Sequence, residues 1–364
     1  MNIKKIAKKV ERGERLTFDD GLFLMESPDL LAIGQLADIM RKRKNGDNAY
    51  YIINKHINHT NICINECRFC AFQRKEGEDG GYAWAIDEVM KKAGEDFSED
   101  ISEFHIVGGL HPELPYSYYR EIIARLHEKY PNVHLQAFTA VEIDYFAEIS
   151  GKNIKDVLID LKDAGLGSLP GGGAEVFNDK VRKKICPNKI SGKRWLEVME
   201  TAHNAGLRSN ATLLYGHIEK PEDRIDHMVQ LRELQDRTGG FMAFIPLAFH
   251  PKNTELAERH FTSGQLDIRM LAVSRLMLDN FDHIKAFWIM ISPKISQLSL
   301  IFGVDDIDGT VLEERITHSA GAETEQGLTV SMLENLITSA GRVPVRRDTL
   351  YNAVGGKRVE ALIL

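Results

Sequence analysis

The sequence predicts an α/β fold, a closed (β/α)8 barrel of TIM type with a helical extension before it and a cap segment after it. Short apolar runs alternate with amphipathic stretches at spacings of roughly 30–50 residues, as parallel crossover units do. The chain has 364 residues, a length that such a barrel with extensions accounts for in one unit. Its most unusual short segments each follow an apolar run, where a barrel gathers its loops on one face. An open doubly wound sheet is the weaker alternative. The expected boundaries are 1–48 for the extension, 49–312 for the barrel and 313–364 for a segment packed on it.

The elements follow in order. Ser27-Pro28 reads as a cap and first turn, with Leu31, Leu36, Ile39 and Met40 as an apolar face and Gly46-Asp47 as the stop. The basic run 41–44 reads as a solvated helix end. Residues 50–54 form the first strand, with a helix at 86–93, and 103–107 form the second, with Tyr118, Ile122, Ile123 and Leu126 marking its helix. The third strand, 133–139, precedes a helical region at 143–164. The short fourth, 167–169, ends at Pro170-Gly171-Gly172-Gly173, and a helix follows at 193–205. The fifth strand is 209–214, with Ile225, Met228, Val229 and Leu234 on the next helix. The sixth is 241–247, followed by a helix at 268–278. The seventh is 283–291, and a poorly defined eighth falls near 301–304. A last helix covers 330–340.

Bulk composition narrows the function classes. Apolar residues make up 43% of the chain and charged ones 27%, as in a soluble globular protein. A net charge of -7 gives no basic footprint for nucleic acid. No apolar stretch reaches membrane-spanning length, and charge interrupts the start too early for a signal peptide. Four cysteines, three of them in one loop, fit a reducing cytoplasm better than a disulfide framework.

That loop carries the chemistry. Cys63, Cys67 and Cys70 form a C-x3-C-x2-C triplet, and only Cys186 lies elsewhere. Three thiolates suit three corners of a [4Fe–4S] cluster, which leaves the fourth iron open to a small-molecule ligand. A sulfonium cofactor chelating that iron through amine and carboxylate would yield a carbon radical on one-electron cleavage. Zinc is a rival, with His56 or His59 as fourth ligand, and a disulfide is another. Cys186 reads as a small buried hydrophobe.

The other loops fall at the same strand ends. Phe69 is either a wall for an adenine or a loop anchor. Gly108 and Gly109 permit close backbone approach to a ligand, or make an ordinary turn. The glycines at 171–173 are open to the same two readings. Glu142 and Glu219 suit ribose hydroxyls or solvent, and Tyr215 suits a pocket rim or the core. Arg208, His217, His250 and Arg315 are candidates for holding substrate carboxylates, each also suited to a structural hydrogen bond or ion pair.

The triplet, with an aromatic before its third cysteine, resembles the radical S-adenosylmethionine superfamily signature. Leu214, Gly216 and Glu219 resemble the end of that superfamily's fifth-strand motif beside the adenine, with Thr212 where the motif begins with glycine. Gly108-Gly109 resembles the motif that receives the methionine amine, with Leu110 where many members have glutamate. A closer similarity is to the aminodeoxyfutalosine synthase family of menaquinone biosynthesis. It is carried by 56–72, 105–112, 169–175, 207–219, 244–251, 308–318 and 340–352 and spans about 15 to 352.

The resemblance implies a radical-SAM barrel with a [4Fe–4S] cluster and S-adenosyl-L-methionine consumed as co-substrate. Its 5'-deoxyadenosyl group would add to 3-[(1-carboxyvinyl)oxy]benzoate, giving 6-amino-6-deoxyfutalosine, methionine and the lost carboxylate. A low-potential donor such as flavodoxin or ferredoxin would supply the electron. The alternatives are cyclic dehypoxanthine futalosine synthase of the same pathway and a non-enzymatic iron–sulfur or zinc protein.

Overall fold

The computed structural model describes residues 2–355. Its strands are β1 (Asn48–Ile52), β2 (Asn54–Ile57), β3 (Glu103–Ile106), β4 (His134–Ala137), β5 (Ser168–Leu169), β6 (Arg208–Tyr215), β7 (Phe241–Ala248), β8 (His283–Ile284), β9 (Asp306–Gly309) and β10 (Val343–Arg346). Strands β2 to β8 lie side by side in chain order as one parallel sheet, and β1 lies between β9 and β10 in a second. Only Ile53 separates β1 from β2, so they are two halves of one run. Parallel bridges Lys285↔Asp306 and Lys55↔Leu312 tie β8 to β9 and the chain just past β9 to β2. The joining bonds are Ala286 N to Asp306 O at 2.8 Å and His56 N to Leu312 O at 2.9 Å. The curled sheet therefore meets itself through β9, with β10 added outside. This is the α/β barrel the alternation predicts.

Strands covered on both faces read as continuous apolar runs. The segment F-M-A-F-I-P-L-A of β7 is buried along nearly its whole length, and only Arg208 at the start of β6 is exposed. The outer face of the sheet meets helices whose apolar stripes carry Trp195, Met199, Ile225, Leu231, Leu234 and Met270, all with no exposure. No helix among the described residues is long and apolar enough to cross a membrane. Residues 356–364 of the expected C-terminal segment lie outside the described residues.

Several sequence expectations need correction. The helix Leu30–Asn45 starts from Asp29, whose side chain accepts from Ala32 N at 3.1 Å, and not from Ser27-Pro28. Its buried face is Ile33, Gly34, Leu36, Ala37 and Arg41, while Leu31 is 71% exposed. Small residues face inward because the packing is close: a Cβ on Gly34 would fall 2.2 Å from the Phe302 ring. Reading the face from bulky residues therefore pointed partly the wrong way. Arg41 lies on that buried face instead of in solvent, donating to Asp38 at 2.7 Å and to Gly46 O. The region 143–164 is two helices, Ala140–Ser150 and Ile154–Asp163, parted at Gly151 with φ of +66°. The seventh strand is only two residues long and leads into the helical turn Trp288–Ile291. The eighth lies at 306–309 and not 301–304, because its acids hide it from an apolar search.

Those acids hold the closure. Fully buried Asp305 accepts from Arg275 on the helix Gly264–Met277, from His283 Nδ1 at 2.6 Å and from Ile284 N at 2.9 Å. Removing one partner strands a buried charge, at a cost of about 3–5 kcal/mol. Asp305→Ala is expected to lower unfolding free energy in urea by about that amount. The double variant Asp305→Ala/Arg275→Met should recover part of it, and strictly additive losses would show that the two side chains act independently.

Candidate active site

The cysteine loop springs from the end of β2 and is tied down on three sides. Thr60 Oγ1 accepts from Ile62 N at 3.1 Å and donates to Tyr82 O at 2.7 Å. Cys63 N donates to Arg74 O, Ile64 N to Leu110 O and Arg68 N to Ile185 O, at 3.1, 3.1 and 2.8 Å. The loop is thus pinned to the chain after β3 and to the turn that carries Cys186. All four thiols are free. Cys63, Cys67 and Cys70 line one cavity of about 320 Å³, and Cys186 is buried away from it. Burial pushes the Cys67 and Cys70 thiols up, so their thiolates call for a cation. Among the described residues no three His, Cys, Asp or Glu side chains gather round a single metal-ion position.

The glycines after β3 make this arrangement possible. A Cβ on Gly109 would sit 2.1 Å from Ile62 O and 3.0 Å from Cys63 Cβ; one on Gly108 would sit 2.5 Å from the His59 ring. Glu142 closes the same corner. It forms a capping box with Thr139, takes Thr139 N at 2.7 Å on one oxygen and takes Gly108 N at 3.1 Å on the other. Burial pushes its carboxyl up to about 7, against the pull of those N–H groups. Phe69 lines the cavity, with Lys189 Nζ 5.2 Å from its ring centre and 2.7 Å from Glu175 Oε1. Burial alone would lower Lys189, but Cys67 and Glu175 hold its ammonium well above the usual lysine range.

Below the mouth, strand alternation decides what faces inward. Asn54 and His56 of β2, Glu103 and His105 of β3, and Gln136 of β4 line the cavity, as do Asn210, Thr212 and Leu214 of β6. Ile245 and Leu247 of β7, Phe249 just beyond it, Lys285 and Phe287 after β8, and Asp308 of β9 complete the wall. The interior has an apolar flank and a polar floor. On that floor His56 and His105 stack at 4.5 Å, and Lys285 lies 3.6 Å from Asp308. The sequence reading missed this floor and the Lys189–Glu175 pair. The inward parity of each strand was the signal that could have found the floor.

The same parity corrects other expectations. Tyr215 points outward and donates to Asp267 at 2.8 Å. Glu219 takes Gly216 N, His217 N and Arg224 Nε at 2.6, 2.9 and 2.8 Å, and His217 is further bound to Leu214 O. These four residues form a knot behind the strand end and do not line the cavity. Arg208 lies exposed at the opposite end of β6. Arg315 stacks over Trp84 at 5.2 Å in a separate shallow pocket with Arg74 and His318. His250 does line the cavity, donating through Nε2 to Met290 O, 2.8 Å away, with Nδ1 unpartnered among the described residues. Among the described residues neither proposed histidine gathers with the cysteines round a metal position: His56 stacks on His105, and the His59 ring packs against Gly108.

Comparison with known proteins agrees with this geometry. Residues 57–231 match the model of the Radical SAM superfamily, and 238–357 match that of the CofH/MqnC C-terminal region. An aminodeoxyfutalosine synthase of Thermus thermophilus is 48% identical over 98% of this chain and 97% of its own. One of Streptomyces coelicolor is 44% identical over 96% and 93%. A 5-amino-6-(D-ribitylamino)uracil–L-tyrosine 4-hydroxyphenyl transferase of Methanosarcina barkeri is 39% identical over 93% and 90%. In fold, methylornithine synthase superposes with a TM-score of 0.75 at 16% identity, covering 94% of this chain and 97% of that one. The FeFe-hydrogenase maturase HydG of Carboxydothermus hydrogenoformans gives 0.72 at 16%, covering 96% and 80%. The chain is a radical S-adenosylmethionine enzyme and belongs to the family that contains the aminodeoxyfutalosine synthases.

Proposed function

We propose that this enzyme joins the 5'-deoxyadenosyl group of S-adenosyl-L-methionine to 3-[(1-carboxyvinyl)oxy]benzoate, forming 6-amino-6-deoxyfutalosine and methionine with loss of carboxylate. The observation that carries this reading is 48% and 44% identity, along nearly the whole chain, with relatives named for that synthesis. Relatives named for 4-hydroxyphenyl transfer stand at 39% and below, and their reaction is the second reading.

The residues present fit the cofactors that superfamily membership implies. Cys63, Cys67 and Cys70 are free, share one cavity and sit on a loop with no fourth cysteine on that cavity. They are the proposed cluster ligands, and Cys186 is not. When bound, the cluster supplies the electron that cleaves a carbon–sulfur bond of S-adenosyl-L-methionine. Gly108 and Gly109 leave backbone bare at the mouth, and Glu142 holds their loop through Gly108 N. Phe69 offers an aromatic wall beside them. Leu110 is apolar, so the amine contact at this corner falls to backbone groups. Ile245, Leu247, Phe249 and Phe287 form a wall for the aromatic ring and exclude water from the reacting carbons. Addition demands that those carbons be held about 3–3.5 Å apart.

Anaerobic incubation of reconstituted enzyme with S-adenosyl-L-methionine, reductant and the enol-ether benzoate should yield a coupled product containing labelled adenosine. Free 5'-deoxyadenosine carrying substrate deuterium would favour hydrogen abstraction, the cyclising sister chemistry. A product formed only from L-tyrosine and 5-amino-6-(D-ribitylamino)uracil would establish the second reading instead.

Alanine at Cys63, Cys67 or Cys70 should abolish the cluster's absorption and the activity, while Cys186→Ala keeps both. Equal loss at Cys186 in a folded variant would revise the ligand set. Gly109→Ala should lower iron content after reconstitution, because its methyl must displace the Ile62–Cys63 backbone. Full iron content with unchanged cofactor affinity would show that the loop yields freely.

A further inference from the structure

We propose that Lys285, with His56 and His105 beside it on the barrel floor, is the seat of the substrate's ring carboxylate. The inference rests on the synthase reading and adds to it the orientation of the substrate: carboxylate down, enol ether up toward the cysteine loop.

Two lysines line the cavity. Lys189, at the mouth, is committed to Glu175 at 2.7 Å. Lys285 is only 6% exposed, and its closest carboxylate, Asp308, lies at 3.6 Å, beyond good hydrogen-bond length. Among the described residues its ammonium donates no hydrogen bond. A buried ammonium has three N–H groups to satisfy, and leaving them unmet is costly. A ligand carboxylate entering the cavity would meet that need with a charge-assisted bond.

The surroundings set the terms of that binding. Glu103 and Asp308 face the same space, and Arg347 stands behind it paired to Asp306 at 2.6 Å. Burial pushes the Asp308 carboxyl up. Glu103, which burial would raise, is held below the usual range by His105 and Lys285. Lys285 alone would therefore seat an anion against nearby negative charge. The imidazoles offset this. Burial pushes both below the usual histidine range, and each ring keeps an N–H to offer. Neither ring makes a hydrogen bond to the other across their 4.5 Å stack. Asn54, Gln136 and Asn210 add amide groups round the same floor.

Scale and shape agree. His56 and Thr60, where the cysteine loop begins, are at most about 13 Å apart at the rise of an extended chain. The benzoate ring, its ether arm and the deoxyadenosyl carbon that would couple to them fit within such a span. The ring would then lie along Ile245, Leu247 and Phe287, with its lost carboxylate, on the enol carbon, nearer the mouth.

The test is calorimetric binding of 3-methoxybenzoate and of methoxybenzene to reconstituted holoenzyme. Wild type should favour the benzoate, and Lys285→Met should weaken it by about 10- to 100-fold, the range for one charged hydrogen bond. Affinity for methoxybenzene and for S-adenosyl-L-methionine should stay as in wild type. Lys285→Arg should retain most of the benzoate affinity, and His105→Asn should lose less than Lys285→Met. Should Lys285→Met not fold, His105→Asn and Lys285→Arg carry the comparison alone. With the enol-ether substrate, the loss should fall mainly on KM. Undiminished 3-methoxybenzoate binding in folded Lys285→Met, or equal loss for both probes, would overturn the proposal. Failure of the synthase reading looks different: the benzoate binds through Lys285, yet no coupled product forms.

Discussion

Closure of the parallel ring at β9 is the constraint on which the site depends, and buried carboxylates enforce it. Three acids within four residues take different partners. Asp305 binds Arg275 and His283, Asp306 binds Arg347, and Asp308 faces Lys285 inside the barrel. Buried ion pairs contribute little net stability compared with apolar packing, but breaking one is severe, so they select one register from many. Here the register matters to chemistry. A slip of one residue would turn Asp308 outward and leave Lys285 without its neighbour. The same shift would move the Leu312 contact that joins this edge to β2, from whose end the cysteine loop departs.

At the mouth, packing and charge act together. Backbone contact between Gly109 and Ile62 brings two loops to a separation that no side chain at that glycine tolerates. Glu142 then ties the chain after β3 to the start of the helix that follows β4, so the glycine loop is held from both sides. Lys189 supplies fixed positive charge beside Cys67, and Glu175 balances it. Glu175 adopts φ of +49°, a conformation uncommon for a residue with a side chain. That strain is tolerated where the chain must turn a carboxylate toward the lysine.

Most of the fold was legible because parallel strands and their helices announce themselves by burial. The strands at 103–106, 134–137, 208–215 and 241–248 fell where apolar runs placed them. The eighth was missed because its sequence, D-I-D-G, is acidic, and the apolar search moved instead to 301–304. The cysteine triplet and the glycine pair were legible as motifs, since local spacing alone carries them. Tyr215, Gly216, His217 and Glu219 were misplaced for a different reason. Sequence shows that they follow a strand, while whether they face the cavity depends on strand parity, on Arg224 at the start of the very next helix and on Asp267 from a distant one. The polar floor is the converse case. Its members come from several strands, and at most two alternate residues of any one strand, such as Asn54 and His56 or Glu103 and His105, fall in one local window.

This division explains how one scaffold serves reactions as unlike as those named for its relatives. The loop that carries the cysteines and the glycines that press on it are fixed by backbone contact, so they tolerate little variation in shape. The inward residues of β2 through β9 are constrained only by fit within the cavity, where one substitution changes a wall without disturbing the ring. An apolar flank facing a floor of imidazoles, amides and the Lys285 ammonium, held only loosely by Asp308 at 3.6 Å, suits a ligand with an aromatic body and an anionic end. Replacing Ile245 or Phe287 with a polar residue would alter what lies along that flank while leaving the cysteine loop in place. On the proposed reading, specificity would reside in strand interiors and the capacity for radical chemistry in the loops above them.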